Sequence, residues 1–143
     1  MKRRAWIVGQ NEAAILGEGW YDRRAEWFGL PFRESCPRAS LRLPEVADGD
    51  RVTLLLSSDL ALHQGKQKVR VILADRAWDF EVRPPKPACG WQPFTIEAPR
   101  SAGDSSRSEL VIESESWRHA AHEPIEDYRE AGVLFAGVFV FSS

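Results

Sequence analysis

Period-two alternation of apolar and polar residues recurs along this chain, whereas helical periodicity is nearly absent. The segment 78–82 reads Trp-Asp-Phe-Glu-Val, and similar alternation occurs in the segments 38–43, 51–57, 67–75, 94–97 and 109–113. Side chains of a strand point alternately to its two faces, so each segment predicts a strand that is buried on one side. We therefore expect an all-β fold, a two-sheet antiparallel β-sandwich (jelly roll) of about eight short strands.

Size and charge restrict the possible functions. The chain has 143 residues, which suits a single domain over 1–143, and six Trp and seven Phe residues can supply its core. The formal net charge of −2 provides no basic field that would gather nucleic acid. No apolar run approaches the roughly 20 residues of a membrane span. The apolar start of the chain is too short for an export signal, so a cytoplasmic location is expected.

The chain contains two cysteines, Cys36 and Cys89. A single bridge between them is possible, but one bridge does not make a disulfide framework. In a cytoplasmic protein two free thiols are the default.

The last predicted strand, Val133–Phe141, is apolar at nearly every position. Strict alternation places Phe135, Gly137, Phe139 and Phe141 on one face, opposite Leu134, Ala136, Val138 and Val140. Two apolar faces imply that the outer face is covered, by the loop 114–132, by the N-terminal segment or by another subunit. A protein partner or a second copy of the chain would then dock through Val133, Phe135 and Phe139.

The segment 114–132 has no alternation and predicts one long structured loop before the last strand. It is also the one segment in which we expect any helix, limited to about a turn by Pro124. His119 and His122, which lie three residues apart and are followed by Glu123, have the spacing of two ligands of one metal ion. No further ligand is indicated, and the zincin order of residues is absent. We therefore expect two exposed loop histidines, no metal and no cofactor.

Five residues are candidates for binding a ligand: Trp27, Arg33, Trp117, Asp127 and Arg129. A pyranose ring presents a face of C–H bonds that packs on an indole, while neighbouring charged groups bond its hydroxyls. The competing interpretation places both tryptophans in the core and gives Asp127 and Arg129 the structural task of fixing the start of the last strand.

A set of short motifs supports a family resemblance. They are Gly19-Trp20-Tyr21, Phe32-Arg33, Ala39-Ser40-Leu41-Arg42-Leu43, Trp91-Gln92-Pro93-Phe94, Trp117-Arg118 and the segment 127–133. The chain resembles the carbohydrate-binding-module-like β-sandwich domains, of galactose-binding or jelly-roll type, that accompany bacterial glycosyltransferases and methyltransferases of surface-polysaccharide synthesis. It departs from their pattern at Glu34-Ser35, where those domains carry Trp-Thr, and at Ala131, where they carry Leu.

The resemblance implies a non-catalytic carbohydrate-binding or accessory module, linked to bacterial polysaccharide synthesis, whose partner is a polysaccharide or glycan. The alternative is a structural or assembly protein that docks through its apolar C-terminal strand. A third interpretation, a small cupin-like enzyme, would use His119 and His122. The sequence contains no nucleophile elbow and no glycine-rich phosphate loop, so we do not expect an enzyme.

Overall fold

A computed structural model describes residues 3–22, 25–87, 90–100 and 107–142. Within these ranges the chain forms ten strands and one short α-helix, α1 (Leu60–Gln64). The strands are β1 (Arg3–Ile7), β2 (Ala25–Trp27), β3 (Leu30–Glu34), β4 (Arg38–Pro44), β5 (Arg51–Ser57), β6 (Gln67–Leu73), β7 (Arg76–Val82), β8 (Gln92–Glu97), β9 (Arg107–Ser114) and β10 (Leu134–Phe141). Two 3₁₀ turns, Glu12–Ala14 and His119–Ala121, complete the described elements.

The strands form two antiparallel sheets that enclose one core. The six-stranded sheet has the order β2-β3-β10-β5-β8, and β1 also pairs with β10. The four-stranded sheet has the order β4-β9-β6-β7. Leu41, Leu54, Val71, Leu110 and Val138 come from both sheets, and all five are fully buried in one cluster. The predicted all-β antiparallel sandwich is confirmed.

The segments with clear alternation are strands, whereas a very short element leaves no periodic signal in the sequence. The predicted strand 51–57 coincides with β5. The prediction that helix is confined to the segment 114–132 is wrong, because α1 covers Leu60–Gln64 and ends at Gly65 in the left-handed conformation, with φ 92°. Five residues make little more than one helical turn, so no 3.6-residue period can be seen in the sequence. No helix in the described ranges is long and apolar enough to cross a membrane.

A β-bulge changes which residues of β10 face the core. The pairing of β10 with β5 runs through Phe135 opposite Leu56 and then Gly137 opposite Leu55, so Ala136 is an extra residue. One extra residue reverses the inward and outward order of all residues beyond it. The predicted faces are therefore wrong beyond the bulge. The core receives Val133, Phe135, Val138 and Val140.

The burial of β10 also corrects the predicted docking residues. Val133 and Phe135 are fully buried inside the sandwich, so no partner can contact either side chain, and their predicted docking role is wrong. Phe139 lies on the outer face and is half-buried, as is Phe141. On the outer face of the first half of β10, Leu134 is 3% exposed and lines a cleft together with residues of the segment 119–129, so the chain itself buries this part of the strand.

The start of β10 is fixed by Gly132. Its N–H donates to Ser35 O at 2.7 Å, and its carbonyl accepts from Trp117 Nε1 and Gln67 Nε2, each at 2.9 Å. A Cβ atom at this position would lie 2.3 Å from Ser35 Oγ and 2.4 Å from Cys36 O. The backbone can approach this closely only without a side chain, which explains the glycine. Cys36 is a free thiol, and Cys89 lies outside the described residues.

Candidate functional site

The strand β3 separates the interior of the sandwich from a cleft on its outer surface. Arg33 pairs with Phe135 and therefore faces inward, whereas Glu34 pairs with Leu134 and faces outward. The outward side chains form the floor of a cleft of about 390 Å³. Its lining residues come from the β2–β3 hairpin, the start of α1, the loop before β10 and β10 itself: Ala25, Glu26, Trp27, Phe32, Glu34, Asp59, His119, Glu123, Ile125, Asp127, Arg129 and Leu134.

Trp27 forms the aromatic wall of this cleft. Its Nε1 donates to Ser57 Oγ at 2.9 Å, which fixes the indole plane. The ring makes edge contacts with Phe28 and Phe32, at centroid distances of 5.2 and 6.4 Å. The side chain is half-buried, so part of an oriented aromatic surface remains available to a ligand.

Asp127 and Arg129 form a charged pair on the same cleft. Arg129 Nε and Nη2 donate to the two carboxylate oxygens of Asp127 at 3.0 and 2.9 Å. These hydrogen bonds lower the pKa of Asp127 to about 2 and raise the pKa of Arg129. The guanidinium also lies over the ring of Tyr21 at 4.5 Å, and burial raises the pKa of Tyr21 to about 12. The pair is therefore ionised and held in one orientation.

His119 is buried at the back of the cleft rather than exposed. It is 5% exposed, and its Nε2 lies 2.7 Å from Glu34 Oε2. In the tautomer that carries its proton on Nε2, the ring donates this hydrogen bond to the carboxylate. The other ring nitrogen, Nδ1, lies 3.5 Å from Asp59 Oδ2 and 3.5 Å from Glu123 Oε2. The prediction of two exposed loop histidines is wrong for His119 and correct for His122, which stacks on His63 at 4.8 Å.

The carboxylates around His119 repel one another. Burial, followed by the negative charge of Glu123, raises the pKa of Asp59. One ligand atom from each of Asp59, His119 and Glu123 lies within 4.8 Å of the other two. Oxygen and imidazole nitrogen donors at such distances can hold a metal ion.

The structure brings three of the five predicted binding residues together. Trp27, Asp127 and Arg129 line the cleft. Arg33 faces the interior, is 7% exposed, and pairs with buried Glu12 at 3.4 Å. Trp117 is buried, and its Nε1 donates to Gly132 O, so its indole serves the packing of the loop.

Three acidic residues of the site were not predicted from the sequence. Glu34, Asp59 and Glu123 come from β3, from the residue before α1 and from the loop before β10. Their only local signal was Glu123 beside His122, because the other two lie far away in sequence. Glu34 is the first residue of the Glu34-Ser35 departure from the pattern of the resembling domains, and it contacts His119.

A larger depression, of about 740 Å³, lies on the outer face of the four-stranded sheet. Its walls are charged side chains such as Arg70 and Asp79, which pair with each other at 2.8 Å and are largely exposed. Its aromatic residue, Phe80, packs against the core. This depression offers no aromatic surface comparable to Trp27, so the smaller cleft is the better candidate site.

No protein-family model matches the chain, and no curated protein does. Solved structures do match. A CBM35 from Cellvibrio japonicus Abf62 has a TM-score of 0.60 at 6% identity, covering 99% of this chain and 94% of that one. A CBM35 solved with a glucuronic-acid-containing disaccharide has a TM-score of 0.57 at 8% identity, covering 97% of this chain and 93% of that one.

A larger protein also matches, a family GH115 4-O-methyl-α-glucuronidase with specificity for decorated arabinogalactans. Its TM-score is 0.60 at 15% identity, over 98% of this chain. This chain spans only 17% of that enzyme. At such low identities the likeness shows the fold, a sandwich of the kind found in family 35 carbohydrate-binding modules.

Proposed function

We propose that this chain is a non-catalytic carbohydrate-binding module whose ligand occupies the cleft. The observation that carries the proposal is that Trp27 and the Asp127–Arg129 pair line one cleft. The family 35 fold of the solved neighbours supports the class of protein. The sequence motifs that resemble domains of surface-polysaccharide synthesis support the same class.

The cleft combines the two contacts that a sugar requires. The indole face of Trp27 can pack against the C–H face of a pyranose, which removes apolar area from water. Asp127 and Arg129 can accept from and donate to the ring hydroxyls. Their bidentate pairing holds both groups in place before binding, so little entropy is lost when the ligand arrives. A few fixed polar groups beside an apolar wall are typical of ligand sites.

The charge of the cleft narrows the class of sugar. Among the described residues that line it, Glu26, Glu34, Asp59, Glu123 and Asp127 carry carboxylates and Arg129 carries a guanidinium. This excess of negative charge would repel an acidic sugar and attract a basic one. We therefore expect neutral or amino-sugar glycans as ligands of the metal-free protein.

The proposal extends to the biological setting of the module. We assign the module an accessory role in bacterial surface-polysaccharide synthesis, in the cytoplasm, beside the glycosyltransferases that act on the same glycan. The motifs Gly19-Trp20-Tyr21 and the segment 127–133 support this setting, because they resemble the domains attached to such enzymes.

Glycan-array screening followed by calorimetry tests the proposal. We expect Trp27→Ala to weaken binding of the best glycan by about tenfold or more, because the stacking surface is lost. Tyr128→Ala is the matched control: Tyr128 is a neighbouring aromatic residue, 69% exposed and outside the cleft. Circular dichroism checks that both variants fold. The absence of binding to neutral, amino and acidic glycans, or an equal loss of affinity in the two variants, would contradict the proposal.

A second candidate function is docking through the outer face of the six-stranded sheet. The half-buried Phe139 and Phe141 present apolar surface there, next to Arg51 and Thr53. If the glycan screen is silent, concentration-dependent association in light scattering would favour this function.

A further inference from the structure

The distances around His119 match the spacing of ligands on a metal ion better than the spacing of hydrogen bonds. Nδ1 lies 3.5 Å from an oxygen of Asp59 and 3.5 Å from an oxygen of Glu123. Tetrahedral ligands held at about 2.0–2.2 Å from zinc lie about 3.4 Å from one another. Hydrogen-bonded N and O atoms lie closer, at about 2.7–3.2 Å. Each oxygen thus lies at ligand spacing from Nδ1, and one ligand atom from each of the three residues lies within 4.8 Å of the other two.

The opposite side of the imidazole is held as metal-ligating histidines are held. Nε2 lies 2.7 Å from Glu34 Oε2, and in the tautomer that donates this hydrogen bond the lone pair on Nδ1 is directed at Asp59 and Glu123. A carboxylate behind the ring fixes its tautomer and increases the basicity of the coordinating nitrogen. Glu34 itself is almost completely buried, and its Oε1 has no hydrogen-bond partner. This oxygen, in a residue that lines the cleft, has only the 3.8 Å ion pair with Arg129 and could accept a further hydrogen bond.

Charged side chains surround the ring. Glu34, Asp59 and Glu123 place three carboxylates around one imidazole. His63 is a second basic side chain beside them, at 3.7 Å from Asp59 and 4.0 Å from Glu123. Arg129 reaches Glu34 only at 3.8 Å and is shared with Asp127. Glu34 and Asp59 are largely buried and Glu123 is 37% exposed, and a divalent ion would add positive charge where these carboxylates meet.

We propose that Asp59, His119 and Glu123 bind a zinc-class transition-metal ion, with Glu34 positioning His119 from behind. One imidazole nitrogen with two carboxylates suits zinc or cobalt, whereas calcium takes six to eight oxygen ligands. His63 Nε2 faces the other oxygens of Asp59 and Glu123, at 3.7 and 4.0 Å. Three protein ligands leave one position of a tetrahedral ion open to water or to a ligand in the cleft.

Calorimetry on the tag-free, EDTA-stripped protein tests the site with zinc chloride as the probe. We expect one zinc ion per chain. Substituting a ligand, as in Glu123→Gln or Asp59→Asn, should weaken zinc binding by about tenfold or more. The variant Glu34→Gln should weaken it by about 10–100-fold through the orientation of His119. The control Glu130→Gln, which removes an exposed carboxylate of the same loop that pairs with Arg118, should leave zinc binding unchanged.

Cobalt chloride provides a second readout, because cobalt bound to an imidazole and carboxylates in tetrahedral geometry absorbs visible light strongly. The absence of zinc binding would overturn the proposal, as would affinities that are unchanged in both Glu123→Gln and Asp59→Asn. Calcium or magnesium binding as tight as zinc binding would overturn it too. The readout is ion binding alone, so the proposal can fail while the glycan proposal holds, and the reverse.

Discussion

Two adjacent residues of β3 place buried charges on opposite sides of one sheet, and the two sides differ in how completely those charges are compensated. On the inner side, Arg33 contacts Glu12 at 3.4 Å, the carbonyl of Tyr21 at 3.3 Å and Asp22 at 3.6 Å. On the outer side, Glu34 has His119 on one oxygen, while its other oxygen has no hydrogen bond within the described residues and meets Arg129 only at 3.8 Å. We interpret a buried charge whose hydrogen bonds are satisfied as structural, and one with an unsatisfied oxygen as part of a binding site.

Removing the inner cation tests the structural half of this comparison and should have the largest effect. The variant Arg33→Met leaves Glu12 buried, at 3% exposure, without its cation. We expect it to lower the free energy of unfolding by about 3–5 kcal/mol, the usual cost of stranding one partner of a buried pair. Urea denaturation measures the loss. The control Arg38→Met breaks an exposed pair with Glu113 and should cost less than about 1 kcal/mol. Equal losses would show that the inner pair has no special structural role.

Acid should weaken the Asp127–Arg129 pair by a smaller amount. The pKa of Asp127 is lowered to about 2, so its contribution is present above its ordinary value of 3.8 and is lost as the pH falls from there toward 2. The lost stability should be about 1–2 kcal/mol, since Arg129 is half-exposed and water screens the pair. Thermal melts from pH 5 to pH 2 measure it. In Asp127→Asn this part of the acid dependence should disappear, and in Glu130→Gln it should remain.

The outer cluster should show the smallest effect, with the opposite sign. The pKa of Asp59 is raised, so its charge destabilises the metal-free fold, and stability should be lost as the pH rises through the raised pKa. The variant Asp59→Asn should therefore be neutral or stabilising by up to about 1 kcal/mol in EDTA at pH 7. The control Asp48→Asn, at an exposed turn, should change nothing. A clear destabilisation by Asp59→Asn in EDTA would show that the outer cluster is structural after all.

The sandwich could be predicted because period-two patterning reports burial directly. β5 was predicted with its observed bounds because Val52, Leu54 and Leu56 alternate without interruption. α1 was missed because five residues are too few to show a helical period. The faces of β10 were misassigned because every residue there is apolar, so nothing in the composition shows where the bulge lies.

The charged pairs of the site could be predicted only where both residues lie in one segment of the sequence. Asp127 and Arg129 are two residues apart, and their pairing could be expected from the sequence. Asp59 and His119 are brought together by the topology of the sandwich, and no local spacing records that contact. The charge of Arg33 suits a ligand as well as it suits Glu12. The direction of the side chain, which faces inward, separates the two roles.

The extra residue in β10 has a consequence for how this protein can vary. Before Ala136 the strand contributes Leu134 to the cleft and Phe135 to the core, and beyond it the alternation starts afresh. The inward positions of the two halves of the strand are thus offset by one residue. Substitutions that reshape the cleft in the first half leave the inward order of Val138 and Val140 intact. Deletion of Ala136 would join Phe135 directly to Gly137 and restore strict alternation, with Val138 and Val140 still directed into the core.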